Sequence, residues 1–262
     1  MKKLTSTGDR LIPFTFFFFI LLIWELVGRF EVVPTYILPP PTRIIWTLIV
    51  NLPVLKEHIL VTLMEALVGF LLAIIFAIGI SILMDSLPLV KKTLYPLIIT
   101  SQTIPIITIA PLFAIWFGFG YFPKIVIVIL VCFFPIAISL LEGLSSVDED
   151  LLNLIKSMGA SKLDVYKIVK LPSALPNFFS GLKISATYSI MGATIGEWVG
   201  GKNGLGVYML RVKHSFATDK VFAAIIIITL LSIGILKLIT LIEKRAMPWI
   251  YNKNQNKRIW EE

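Results

Sequence analysis

The side chains able to do chemistry in this chain are few and widely spaced. The two histidines, His58 and His214, fall in segments expected outside the apolar runs, with no His-x-x-x-His spacing and no acidic cluster beside them, so no metal site is indicated. No serine stands beside an obvious base. The single cysteine, Cys132, lies within the apolar VILVCFFPIAI, where packing is its expected role and neither a disulfide framework nor a cysteine metal site can form within one chain. What remains is polar groups set into apolar surroundings: Glu65, Glu197, and the cluster Gln102, Thr103, Pro105 and Thr108. A carboxylate inside a membrane span costs on the order of 2.5–3.5 kcal/mol, so Glu65 and Glu197 must face protein, water or the interface. For Glu65 and Glu197 alike, structural pairing and lining a translocation route both fit; for Glu197, neighbouring glycines can also bring a partner's backbone close. Backbone freed by proline has to be satisfied by neighbours or by water in a cavity, which is how transport routes are built. The Gln102–Thr108 cluster therefore reads as a translocation path, with packing against a neighbouring helix as the other reading.

The elements that must position these groups are dictated by composition. The chain is 57% hydrophobic and only 15% charged, against roughly 25% charged in ordinary globular domains. Several apolar runs reach the roughly 20 residues that cross a bilayer as helix. The expected fold class is all-α integral membrane, with about six transmembrane helices near 11–30, 59–84, 94–118, 122–141, 177–195 and 221–242. Together they form a domain over 11–242, with cytoplasmic tails at 1–10 and 243–262. Glu25, after Trp24, is expected at an interface.

Between the first two spans, Pro39, Pro40 and Pro41 argue against regular helix. An external connection from Glu31 to Glu57 is expected there, carrying a short surface helix, Thr42–Asn51, capped by Thr42. Pro96, Pro105 and Pro111 are expected to interrupt the third span, and Gly118 to Gly120 to turn into the fourth. Gly192, Gly196 and Gly200 recur every four residues, a close-packing stripe for helices in lipid. An external loop is expected from there to Lys220.

The net charge of +8 comes without a basic, aromatic-interleaved patch, so nucleic acid is not an expected partner. It reads instead as a topology signal. With the N-terminus inside, fourteen of the 24 Lys and Arg residues fall on the cytoplasmic side, including Lys156, Lys162, Lys167 and Lys170. Eight fall outside, Lys124 and Lys202 among them, and Lys183 and Lys237 stay in spans. That asymmetry predicts both termini in the cytoplasm.

The one long polar interruption, residues 148–176, then lies inside. Leu151, Leu154, Ile155 and Met158 fall at helical spacing on one face, and Gly159 ends that helix. Ser161 and Asp164 form a short-armed capping box for a second helix, which Pro172 is expected to close at Leu171. The result is a rigid pair of short helices around a glycine turn.

Gly159, nine further residues, and then Val169, Lys170, Leu171 and Pro172 resemble the cytoplasmic signature of permease subunits of bacterial ABC importers. That family begins the signature with Glu-Ala-Ala, where this chain has Asn153, Leu154 and Ile155. SQTIPIITIAPLFAIWFGFG (101–120), LPPPTRIIWTL and GEWVGGKNGLGVYM (196–209) resemble the nitrate, sulfonate and taurine branch, the last most nearly permeases for thiamine-precursor pyrimidines and related vitamins. The resemblance implies a type I importer permease in the bacterial cytoplasmic (inner) membrane, in which Gly159, Ala160, Ser161 and Asp164 couple to an ATPase. Leu171 and Pro172 would anchor that knob to the fifth span. It implies ATP-binding cassette ATPase subunits, an extracytoplasmic substrate-binding protein and a second permease copy as partners within the lipid. ATP and magnesium would sit on the ATPase and no cofactor on this chain. An intramembrane enzyme and a membrane scaffold are the readings of other classes.

Overall fold

The structure, a computed structural model, describes residues 7–249, with side chains from residue 12 onward. It is helical throughout those residues: α1 (Thr7–Arg29), α2 (Pro41–Ser86), α3 (Pro88–Ser101), α4 (Ile106–Phe117), α5 (Tyr121–Ser145), α6 (Glu149–Ser157), α7 (Lys162–Asp164), a π-helical turn (Val165–Lys170), α8 (Leu171–Gly200), α9 (Leu205–His214) and α10 (Thr218–Ala246). Residues 243–246 of the expected tail continue α10, while the tail ends at 1–6 and 250–262 lie outside the described residues.

The proline run starts a helix where the sequence suggested a break. Pro40 is extended, with φ −66° and ψ 146°, and Pro41 takes the first helical position, where the missing N–H has no partner to lose. From there α2 runs unbroken for 46 residues. At about 1.5 Å per residue this is roughly 70 Å, well over twice the hydrocarbon thickness of about 30 Å. The surface helix Thr42–Asn51 and the span 59–84 are therefore one element, and Pro53 sits inside it without ending it. Thr42 does not cap this helix. Its amide and hydroxyl both donate to the Glu25 carboxylate, at 3.1 and 2.8 Å, so the cap comes from α1, where a negative charge suits the positive end of the α2 dipole. The Trp24 indole donates to the Pro39 carbonyl at 3.1 Å and completes the α1–α2 junction.

The core is built by α5 and α8, which share the largest interface, with α2 against both. Small residues make it possible. A Cβ at Gly181 would stand 2.7 Å from the Pro135 carbonyl oxygen, and one at Gly143 would stand 2.9 Å from the Ala174 α-carbon. Gly192 and Gly196 face Val128 and Lys124 of α5, and Gly200 faces Phe119, so the glycine stripe packs as its spacing suggested. Ala73, Ala77, Ala137, Ala186 and Ala193 are fully buried in the same cluster. Cys132 is part of this packing: the Ser185 hydroxyl donates to the Cys132 carbonyl at 2.7 Å, and the thiol donates to the Ser185 carbonyl at 3.3 Å. On the other flank of α8, Lys183 meets Glu243 of α10 at 2.6 Å, which satisfies a lysine the sequence left stranded in a span.

Only one of the three prolines in the third segment interrupts it. Pro96 and Pro111 lie within α3 and α4, whereas Pro105 follows the break, across which the two helices are bent by 102°. Gly118 has φ +79°, and the chain then enters α5 at Tyr121, as expected. Pro172 does not close a helix either. The preceding π-helical turn widens the backbone, with the Leu171 amide bonded to the Tyr166 carbonyl, and α8 continues through Pro172 and Pro176. The second member of the helix pair is thus the start of α8. Among the described residues, α1, α2, α5 and α10 are long and apolar enough to cross a membrane, and the bent α3–α4 pair makes a fifth candidate. With 30 residues α8 has the length, but its serines, threonines and glycines keep it less apolar than those four; it packs on α5, α10 and α2 and leaves Ser180, Ile184, Thr187, Tyr188 and Met191 exposed along one face.

Close approach should be costly to disturb where it is tightest. Gly181→Ala is expected to lower the thermal unfolding midpoint of the detergent-solubilised protein, with a penalty of about 1–3 kcal/mol. Gly79→Ala should leave it unchanged or raised, because a Cβ there meets nothing within 4 Å.

Candidate functional site

A cavity of 320 Å³ opens at the break between α3 and α4. Gln102 and Pro105 line it, with Phe134 of α5 and Tyr188 and Met191 of α8 on the opposite wall. Of the six path candidates, Gln102, Thr103, Pro105, Thr108, Glu65 and Glu197, those two are the ones that line it. Thr103 and Thr108 turn back on their own chain, their hydroxyls donating to the Thr100 and Pro105 carbonyls at 2.7 and 2.6 Å. Tyr188, three residues before Met191 on the same side of α8, had no signal in the sequence. Its relevance comes only from α8 passing the break. No charged side chain lines this cavity, and its wall is mostly apolar.

Glu65 and Glu197 lie elsewhere, in one buried polar network at the other end of α5 and α8 from the π-helical turn. The Lys124 ammonium donates to Glu65 Oε1 at 2.7 Å, with both side chains almost fully enclosed. Glu197 receives the Thr62 hydroxyl and the Gly206 amide, each at 2.6 Å. The Leu205 amide donates to Thr62 Oγ1 at 2.8 Å, and the Gly204 amide donates to His58 Nδ1 at 3.0 Å. His58 is thereby fixed with Nδ1 unprotonated. Gly204 has φ +127° and lies so close to the Glu197 carboxylate that a Cβ would collide with it. His58 and Lys124 were expected in external connections, and both are buried instead. The expected open loop after Gly200 contains α9, pinned through residues 204–206. Glu197 does have a backbone partner, the Gly206 amide, whereas Gly192, Gly196 and Gly200 face α5 and Phe119.

At the opposite end, Asp148 caps α6 by accepting the Asp150 amide at 2.8 Å. Gly159, at φ +85°, makes the turn out of it. Ser161 and Asp164 form the reciprocal capping box, and the Ser161 hydroxyl and amide hold the Asp164 carboxyl below its usual range. That contribution is present above the ordinary aspartate value and disappears only as pH falls through the lowered one, so the cap is intact at neutral pH. Behind it, Lys170 meets Asp85 of α2 at 2.6 Å, and the Tyr166 hydroxyl donates to the same carboxylate. Burial, and then Asp85, push the Tyr166 phenol up to about 12, so it stays a donor. Leu151, Leu154 and Met158, the apolar side of α6, are exposed at 41%, 58% and 75%, and Leu163 at 69%. The chain thus presents an apolar knob on a braced base.

Residues 69–248 match the family described as binding-protein-dependent transport system inner membrane component. The chain belongs to this family. This permease is 36% identical over 238 residues to the formylaminopyrimidine transport permease protein ThiX of Halalkalibacterium halodurans, covering 90% of this chain and 95% of that one. It is 29% identical to the taurine transport system permease protein TauC of Escherichia coli, covering 88% and 86%. Its fold is similar to that of a chain in the MetNI methionine ABC transporter, with a TM-score of 0.58 at 18% identity, over 76% of this chain and 98% of that one. The protein is a multi-pass inner-membrane permease of an ABC importer. Its family works with a binding protein and with a separate subunit that hydrolyses ATP, so the permease is not the enzyme.

The outer network makes a sharp prediction. Lys124→Met leaves the Glu65 carboxylate buried without its counter-ion and should cost about 3–5 kcal/mol. Glu65→Leu combined with Lys124→Met should recover most of that loss, as read by thermal unfolding of the purified permease.

Proposed function

We propose that this permease carries a small uncharged heterocycle, most nearly a thiamine-precursor pyrimidine or a related vitamin, delivered by an extracytoplasmic binding protein. The observation that carries this reading is the cavity at the α3–α4 break, which offers the Gln102 amide and the Tyr188 hydroxyl in an apolar wall and no cation. Pockets for small organic ligands have that character, with few polar groups fixing orientation. Nitrate, sulfonate or taurine would need a positive group. Lys124 and Lys202 line a separate cavity of 310 Å³ beside Gly200, and Lys124 is already committed to Glu65. The relative named for formylaminopyrimidine transport supports the same choice.

In this reading two copies of the permease enclose the route, each with six spans and both termini in the cytoplasm, α8 counting as one span. Gln102 and Pro105 line the route directly; Thr103 and Thr108 shape the break through their carbonyl contacts. Glu65 and Glu197 act on it by holding the outer loop. ATP and magnesium bind the partner ATPase, whose surface covers Leu151, Leu154 and Met158. Gly159, Ala160, Ser161 and Asp164 form the knob that it grips, and Leu171 and Pro172 join that knob to α8. Shifting a two-state equilibrium from 1:99 to 99:1 takes about 5.5 kcal/mol of differential binding. A knob capped by Ser161 and Asp164 and braced by the Lys170–Asp85 pair can transmit such a load.

The test is reconstitution with the neighbouring ATPase and binding protein. A pyrimidine-loaded binding protein should stimulate ATP hydrolysis severalfold, and a taurine- or nitrate-loaded one should not. Gly159→Val, placing a β-branched residue at φ +85°, should leave membrane insertion and ATPase attachment intact while abolishing that stimulation. Normal stimulation in that variant would remove the coupling assignment.

A further inference from the structure

A cleft of 910 Å³ lies between the end of α2 and the segment from α6 to the start of α8. Its walls are of two kinds. Ile82, Leu87, Leu152, Leu163, Val165 and Leu171 supply an apolar floor, and Lys156, Lys162, Lys167 and Lys170 supply four cations against the single carboxylate of Asp85. Lys170 and Tyr166 are already spent on Asp85. Among the described residues, Lys156, Lys162 and Lys167 have no carboxylate within ion-pair distance. The cleft is therefore both apolar and uncompensated in charge.

It borders the knob through Ala160 and Leu163 but is set apart from the exposed apolar side of α6. Leu152 and Lys156, four residues apart, share the side of α6 that faces the cleft, whereas Leu151, Leu154 and Met158 share another side and are exposed. An ATPase seated on the second side leaves the first available. The cleft opens where α2, a helix apolar enough to cross a membrane, ends at Ser86 and α8 begins at Leu171, so its lysines stand at the end of the apolar run of α2. Lysines at that level attract anionic headgroups by about 1 kcal/mol each, roughly fivefold in binding per charge. Their methylene stems can lie along the apolar floor.

We propose that this cleft is a binding site for an anionic phospholipid, whose phosphate is held by Lys156, Lys162 and Lys167 and whose upper acyl chain lies along Ile82, Leu163 and Leu171. A soluble phosphate satisfies the lysines but makes no use of the apolar floor. The bound lipid joins α2 to the coupling segment and stiffens the base that the Lys170–Asp85 pair already braces. Binding itself does not depend on the substrate proposed above. Its effect on ATP hydrolysis does rest on the coupling role assigned to residues 159–172.

The test uses the full-length permease with its ATPase, in nanodiscs of phosphatidylcholine containing phosphatidylglycerol as the minor lipid, followed by release into detergent and native mass spectrometry. The wild-type complex should retain phosphatidylglycerol in preference to phosphatidylcholine. The triple variant Lys156→Gln, Lys162→Gln, Lys167→Gln should lose that preference by tenfold or more, and the corresponding triple arginine variant should keep it. Excess inorganic phosphate should not displace the lipid from the wild type. Equal retention by the glutamine variant, complete displacement by phosphate, or cross-linking of Lys162 and Lys167 to acidic residues of the ATPase would each overturn the proposal. Basal and stimulated ATP hydrolysis in phosphatidylcholine alone separates the two ideas: lost retention with normal coupling overturns only the stiffening role.

Discussion

Helices in lipid gain little from hydrophobicity against one another, because the surrounding chains are as apolar as leucine. What holds this bundle is how near α5 and α8 can come. Gly143 and Gly181 put backbone against backbone, and the alanines of α2 fit into the same layer. That density lets polar groups be enclosed without exposing them to lipid. The Ser185–Cys132 exchange sits between α5 and α8, and the Lys124–Glu65 pair sits between α5 and α2, where Gly69 lies against Val128. A wider spacing would leave each of these groups unsatisfied.

The same two helices connect the ends of the molecule. At one end α8 grows out of the π-helical turn that follows the Ser161 cap; at the other it carries Glu197, which grips the Gly206 amide and with it the start of α9. Thirty residues of helix span about 45 Å, with no break between the knob and the outer network. α2 runs alongside, holding Asp85 against Lys170 at one end and Thr62 against Glu197 at the other. Tyr188 lies on α8 between those ends, facing the cavity at the α3–α4 break. One continuous helix thus joins the base of the knob, the cavity wall and the outer loop.

Features set by neighbours in sequence were legible before the structure. The Gly159 turn, the Ser161–Asp164 box and the Gly192–Gly200 stripe need only spacing to be seen, and the chain's membrane character needs only composition. Features set by neighbours in space were not. Lys124 looks like a topology charge until α5 brings it to Glu65, and His58 looks external until the α8–α9 segment folds over it. Prolines misled in one direction, towards breaks that are not there: Pro41 starts a helix and Pro172 sits in the first turn of α8 behind the π-helical turn, because what decides is whether a partner for the missing N–H exists. Tyr188 has no sequence signature, since an exposed tyrosine on a helix acquires meaning only from the break it faces.

The central claim is that the knob moves relative to its counterpart in a second copy when ATP is bound. Asn153, exposed on a side of α6 away from Leu151, Leu154 and Met158, is a suitable labelling position, and Cys132 is buried, so Asn153→Cys gives one reactive thiol per chain. Distances between spin labels at that position can be measured by pulsed electron paramagnetic resonance in the reconstituted importer. The account predicts two labels per complex whose separation shortens on adding ATP and ligand-loaded binding protein. A separation unchanged by nucleotide, in a complex that hydrolyses ATP normally, would contradict it.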